Sequence, residues 1–223
     1  MNWQELLTEA RQTHHIGEPG KWSASQAPWL QYCGKRATYE AYTTNDAAER
    51  GSAIHLAVEK GIVPTDAPLD VIGAMEHINE AENWLMSKGF KLVEREKYYS
   101  TEIYTGTVDS IWAGGHGEFL LAEIKTGKVR VENETPQLQV YADAVWRELP
   151  MAAVFSVVIQ PGWSHRIHQQ NRGTCIETVW RCNSNWKDKI ICPKYEACNY
   201  CHGKLECPAT LNILETFTAE VTK

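Results

Sequence analysis

The chain has 223 residues, 43% of them hydrophobic and 22% charged, an ordinary globular composition that excludes a wholly disordered, collagenous or coiled-coil protein. Its 22 lysines and arginines against 28 aspartates and glutamates leave a net charge of −6, so a polyanion has to be held by a local basic patch. The longest apolar run, Ala152 to Ile159 with Ser156 inside it, falls far short of the roughly 20 residues that cross a bilayer.

Met1 to Gly17 reads as a short polar helix with no apolar run and no small-residue cleavage site, so a cytoplasmic protein is expected. Ser25 caps a helix through Tyr32, Asn45 or Asp46 a second through Lys60, and Asp70 a third through Lys88. The third sets Val71, Met75, Ile78 and Leu85 on one face and stops at Gly89. β-Branched and aromatic residues then predict strands over Lys91–Thr101, Thr107–Trp112 and Phe119–Lys125, close enough together to pair as an antiparallel meander. Glu134–Glu148 returns to helix with Leu138, Ala142, Val145 and Leu149 as its buried stripe. Val154–Gln160 reads as a buried strand, and Ile176–Trp180 as a further one. A helix between two strands permits a crossover, so the expected fold class is α/β, a mixed central sheet with flanking helices in one compact unit. Its expected parts are an N-terminal helical segment, 1–44, a core, 45–190, and a cysteine-rich tail, 191–223.

Within the strands, the period of two puts Leu121, Glu123 and Lys125 on one face, so a carboxylate and an ammonium emerge side by side. Asp109 stands in an apolar strand, where a charge is costly unless it is paired or bound to a metal. Two hard oxygen donors suit Mg²⁺ or Mn²⁺, and a lysine beside the metal orients water and stabilises charge on a phosphate. Taken alone, the triplet reads as an ordinary cross-strand salt bridge.

Other features lie in order along the chain: Gly51 and His55 on a helix, Gly106 and Asp109 on a strand, Glu123 and Lys125 on a strand, and Gln137 and Tyr141 on a helix. This series, G-x-x-x-H, G-x-x-D, E-x-K and Q-x-x-x-Y, resembles the RecB-like branch of the PD-(D/E)XK nuclease superfamily. The resemblance implies a restriction-endonuclease-like core and a metal held by His55, Asp109, Glu123 and the carbonyl of Ile124. It gives Lys125 the positioning of the attacking water, and Gln137 and Tyr141 places beside the site or the DNA. An imidazole ligand shifts the metal preference from Mg²⁺ toward Mn²⁺. In isolation His55 is equally a satisfied core histidine, and Gln137 and Tyr141 equally a border of the buried stripe.

Cys198, Cys201 and Cys207 form C-x₂-C-x₅-C, a spacing that suits metal ligation. From the residues alone, the fourth ligand is either Cys192 or the distant Cys33. The resemblance to iron–sulfur members of the same branch, among them CRISPR-adaptation exonucleases and the AddB nuclease domain, implies Cys33 with Cys198, Cys201 and Cys207 around a structural [4Fe–4S] cluster. The alternative is a zinc site from Cys192, Cys198, Cys201 and Cys207, with His202 as a substitute ligand. Cys175 and Cys182 have no usable partner spacing and read as small, semi-buried residues.

Basic stretches occur at Lys35–Arg36, at Lys125, Lys128 and Arg130, and from His165 through Arg172, with Trp163, Trp180 and Trp186 available for stacking. Ile159-Gln160-Pro161-Gly162 is similar to phage-encoded members of the family, which implies a role in phage DNA processing or recombination. The expectation is a Mg²⁺- or Mn²⁺-dependent exonuclease acting on DNA, chiefly single-stranded ends. The competing class is a non-catalytic nucleic-acid-binding or interaction module with a structural zinc.

Overall fold

The computed structural model describes residues 1–12, 18–34, 46–133, 135–189, 191, 198, 201 and 207–209. In chain order come α1 (Trp3–Gln12), the two-residue β1 (Trp22–Ser23), α2 (Ala27–Leu30), α3 (Asp46–Lys60) and α4 (Leu69–Ser87). They are followed by β2 (Lys91–Ser100), β3 (Tyr104–Ala113), β4 (Glu118–Ile124), α5 (Pro136–Glu148), β5 (Ala153–Ile159), β6 (His168–Gln169) and α6 (Arg172–Asp188).

The strands form one six-stranded mixed sheet. β2 pairs antiparallel with β3 from Lys91 opposite Ala113 to Ser100 opposite Thr105. β3 and β4 are antiparallel through Ser110–Ala122 and Ala113–Phe119. The α5 crossover makes β5 parallel to β4, from Glu118 opposite Ala153 to Ile124 opposite Ile159. This is the mixed central sheet with flanking helices that the pattern predicts.

Alternation along β4 feeds two separate cores. Leu120, Ala122 and Ile124 face Leu6, Ile54, Ile78 and Leu85 from α1, α3 and α4, whereas Leu121 packs with Leu138, Val145, Val179 and Leu30 from α5, α6 and α2. The N-terminal segment therefore contributes to both faces, α1 to one and β1 with α2 to the other. Although α1 is polar in composition, it buries Trp3, Leu6 and Ala10 on one stripe.

Three local expectations are corrected. Ile176–Trp180 is not a strand but the middle of α6, started by Asn171, whose side chain accepts from Thr174 N–H at 3.1 Å. The buried residues of α6, Cys175, Thr178, Val179 and Cys182, follow helical spacing, so the two cysteines are core and not semi-buried. Leu149 lies just past the end of α5 and is 43% exposed. Asn45, Glu134, Cys192, His202 and the pair Lys35–Arg36 lie outside the described residues.

One irregularity positions the chemistry. β2 covers one edge of β3 along its length, while the other edge is shared between β4 at residues 110–113 and β1 at Tyr104–Thr105. Residues 106–109 have no strand neighbour on that edge among the described residues, which leaves a gap in the ladder. Gly106 lies at its start. A Cβ at this position would stand 2.7 Å from Ala24 Cβ and 2.7 Å from Tyr141 Cε1, so only glycine lets α5 and the segment after β1 close over β3.

Candidate active site

At the end of this gap, α3 and β3 bring His55 and Asp109 together, with His55 Nδ1 3.2 Å from Asp109 Oδ1. The other Asp109 oxygen accepts from the Ile124 N–H at 2.6 Å, so Ile124 joins the group through its backbone. A third residue, unread in the sequence, completes it: Glu96 Oε1 lies 3.9 Å from His55 Nδ1, and one ligand atom each from His55, Glu96 and Asp109 lie within 4.8 Å of one another. Glu96 sits in β2 between the pairs Arg95–Ser110 and Lys97–Val108, which places it opposite Asp109. Its φ of 49° is left-handed, a conformation that costs a non-glycine residue energy and that clusters at functional sites. In sequence, Glu94-Arg95-Glu96-Lys97 looks like the solvated face of an edge strand, and no composition signal announces the turned backbone.

From the opposite side of the sheet, α5 supplies Gln137 and Tyr141. Lys125 Nζ donates to Glu123 Oε1 at 2.6 Å and to Gln137 Oε1 at 3.2 Å. Gln137 Nε2 donates to the same Glu123 oxygen at 2.8 Å and to the Tyr141 hydroxyl at 3.1 Å. Thr135 caps α5 and Pro136 fixes its first turn, which sets the register that carries Gln137 and Tyr141 inward. Glu123 Oε2 is buried and has no hydrogen-bond partner among the described residues.

The electrostatics are those of crowded carboxylates. Burial, then the charge of Asp109, pushes the Glu123 carboxyl up to about 7 against the pull of Lys125. Burial works against a charged His55, yet Asp109 followed by Glu96 carries its imidazole up to about 10. Burial also raises Glu96. Lys125 is raised by Glu123 despite its own desolvation, so it stays an ammonium. Burial and Glu123 hold Tyr141 well above its ordinary value, as a neutral phenol.

This donor set fits a divalent cation. Three carboxylates, Glu96, Asp109 and Glu123, interact across a small volume with one imidazole, and the Glu123 oxygen without a donor has lost water with no replacement. Glu123 is not within the tight group of three. A cleft of about 910 Å³ reaches the site from the α1 and α3 side, lined by Glu9, Gly51, His55, Glu59, Glu96 and Thr126 among others.

The cysteines are a separate matter. Cys33, Cys201 and Cys207 are buried, and Cys198 is partly exposed. Residues just after α2 pack tightly on the end of α6. A Cβ on Gly34 would fall 1.7 Å from the Asn185 carbonyl oxygen, and Asn185 Nδ2 donates to Leu30 O at 2.9 Å. The segment that carries Cys33 is thus fixed against the helix that leads into the cysteine-rich tail. Cys198, Cys201 and Cys207 do not gather with every ligand atom within 4.8 Å.

No protein-family model matches the chain, and no curated protein matches it. Solved structures do. The crystal structure of SSO0001 aligns with a TM-score of 0.48 at 15% identity over 94% of this chain and 97% of that one. The alkaline exonuclease LHK-Exo from Laribacter hongkongensis aligns at 0.41 with 11% identity over 98% and 99%. A phage related exonuclease from Haemophilus somnus aligns at 0.34 with 10% identity over 81% and 96%. These are distant likenesses, and the chemistry of the site is read from its own residues. Among the described residues, no helix is long and apolar enough to cross a membrane.

Proposed function

We propose that the protein is a divalent-metal-dependent DNA exonuclease of the RecB-like PD-(D/E)XK kind, with Asp109, Glu123, Lys125, His55, Gln137 and Tyr141 as its working residues. The single observation that supports this most is the meeting of His55, Glu96 and Asp109 beside a Glu123–Lys125–Gln137 network, where β3 and β4 part. An ordinary surface salt bridge needs neither the buried orphan oxygen of Glu123 nor a left-handed Glu96. His55, Asp109 and Glu96, with Glu123 and the Ile124 carbonyl, would hold Mn²⁺ or Mg²⁺, which supplies Lewis-acid neutralisation of charge at a phosphodiester.

The remaining steps belong to side chains. The Lys125 ammonium, fixed by two acceptors, is aimed for hydrogen bonding to the attacking water and to a phosphate oxygen, where negative charge develops. Gln137 holds Glu123 and Tyr141 in register, so the lysine keeps one geometry. The neutral Tyr141 has a hydroxyl proton to offer a phosphate. Single-stranded ends are the proposed substrate. At the far side, Cys33 with Cys198, Cys201 and Cys207 would bind a structural [4Fe–4S] cluster joining the tail 191–223 to the N-terminal segment 1–44 and the core 45–190. α2–α6 packing supports this reading because it holds Cys33 where the tail departs.

Incubation of the purified protein with end-labelled single-stranded DNA and Mn²⁺, with and without chelator, tests the activity. Glu123→Ala and Lys125→Ala are expected to abolish it, and turnover surviving in either variant would exclude this site. Brown colour and iron in anaerobically purified protein, lost in Cys33→Ala, is the result expected for the cluster; a colourless protein with stoichiometric zinc overturns it.

A further inference from the structure

A second pocket, of about 170 Å³, lies beyond the end of the parallel pair β4–β5, and its walls include Arg130, Asn133, Gln160, Trp163, Arg166 and His168. Two arginines and one carboxylate, Glu132, line it, in a chain whose net charge is −6. The Arg130 guanidinium lies 5.1 Å from the centroid of the Trp163 ring and pairs with Glu132 at 2.9 Å. Trp163 keeps 40% of its surface open. Arg166 is exposed and has no carboxylate partner among the described residues.

The pocket is built before any ligand arrives. Gln160, 1% exposed, donates from Nε2 to Gly127 O at 2.6 Å and to Val129 O at 2.7 Å, and accepts from Val131 N–H at 3.0 Å. One buried amide thus clamps the loop that follows Lys125. Asn133 does the same for the opposite wall: its Nδ2 donates to Arg166 O at 2.6 Å while its Oδ1 accepts from Val158 N–H at 2.7 Å. Such fixing spares a ligand the cost of ordering the loop. The pocket also shares a strand end with the candidate active site, because Lys125 N–H donates to Ile159 O at 2.9 Å and Gln160 is the next residue. Arg130 lies five positions after Lys125, a span of at most ~18 Å.

Resting on the nuclease reading above, we infer that the Arg130–Trp163–Arg166 pocket is a nucleotide subsite for the DNA strand entering the active site, stacking one base on Trp163 and holding its phosphate with Arg166. Base stacking on an aromatic ring is sequence-tolerant, as an exonuclease requires, and one arginine–phosphate contact adds a defined salt dependence.

The test is binding of fluorescein-labelled oligothymidylate by the whole protein in chelator, where no turnover intrudes, across a salt series. Trp163→Ala and Arg166→Ala are each expected to weaken binding about tenfold, and Arg166→Ala to lower the salt slope by about one. Trp163→Phe is expected to restore most of the loss. Both side chains are exposed, so unchanged melting confirms folded variants. Unchanged affinity and slope in both variants overturn the subsite. Loss in Arg166→Ala alone, with inorganic phosphate competing fully, marks a bare anion site and also overturns it. If wild-type protein cleaves DNA while both variants bind normally, the subsite falls and the nuclease reading stands. If no metal supports cleavage but binding depends on Trp163 and Arg166, the reverse holds.

Discussion

Asp109 Oδ2 accepts the Ile124 N–H at 2.6 Å, so a carboxylate takes over the strand ladder at the point where β3 leaves β4. The same side chain faces His55 with its other oxygen. Structural and chemical roles are therefore separable by substitution. Asp109→Ala leaves a buried N–H unpaired at a cost of about 2 kcal/mol, whereas Asp109→Asn keeps an acceptor in place. Both variants are expected to lose metal-dependent hydrolysis by about two to three orders of magnitude. Only the alanine variant should melt appreciably lower, by about 5 °C. Equal melting of the two variants would show that the Ile124 contact contributes nothing to stability.

Metal-free protein is expected to lose stability as pH rises. His55 moves from an ordinary 6.5 up to about 10 on folding, so its contribution is complete below about 6.5 and gone above about 10. Glu123 moves from 4.5 up to about 7, so folding is penalised once it ionises, with the penalty absent below about 4.5 and complete above about 7. Both signs agree. Thermal melts in chelator should fall between pH 6 and pH 9, on the order of 2 kcal/mol in stability, and Mn²⁺ should flatten the profile because it binds the deprotonated donors. A chelated protein that grows more stable over that range contradicts the proposed charge states.

Much of the fold and of the site is legible in the sequence. The four motif pairs fall on α3, β3, β4 and α5, with Lys125 one residue past the end of β4, and the crossover through α5 gives the parallel β4–β5 pair. What escaped reading has physical causes. Ile176, Thr178, Val179 and Trp180 favour strand by side-chain type, but the Asn171 cap and the Cys175–Cys182 spacing, two helical turns, commit the segment to helix. Leu149 continues a helical stripe in sequence, but the helix ends one residue earlier. Glu96 was invisible because its role depends on one backbone angle, which no residue type encodes.

Gly106 carries a packing prediction. An added methyl group would meet Ala24 Cβ and Tyr141 Cε1, both at 2.7 Å, in a place with little room to yield. Gly106→Ala is expected to cost about 2 kcal/mol and to turn Tyr141 away from Gln137, so activity falls further than stability explains. Melting together with kcat and KM separates the effects. Wild-type melting in this variant would show that the close approach is not required.

Away from the site, Tyr104 O–H donates to Asp143 Oδ2 at 2.7 Å, and Arg147 Nε donates to the same oxygen at 2.6 Å. Burial and Asp143 hold the Tyr104 phenol far above its ordinary value. Asp143→Ala strands a buried hydroxyl and is expected to destabilise by about 2 kcal/mol, while Tyr104→Phe in that background should recover part of the loss. Additive losses in the double variant would show that the two side chains do not share an interaction.

Glu96 offers the sharpest contrast between stability and function. Its φ of 49° is free for glycine and costly for glutamate, and the ion-pair partner of its carboxylate among the described residues is His55 Nδ1, at 3.9 Å. Glu96→Gly should therefore melt at or slightly above wild type in chelator, since relief of about 1 kcal/mol of backbone strain offsets the added freedom of the unfolded chain. Mn²⁺ affinity, measured by calorimetry, should fall about tenfold as one carboxylate leaves the set. Glu96→Gln keeps the strained backbone and loses the charge, so it should bind metal as poorly as the glycine variant without gaining stability. Full Mn²⁺ affinity in both variants would remove Glu96 from the metal site and leave its left-handed conformation without a function.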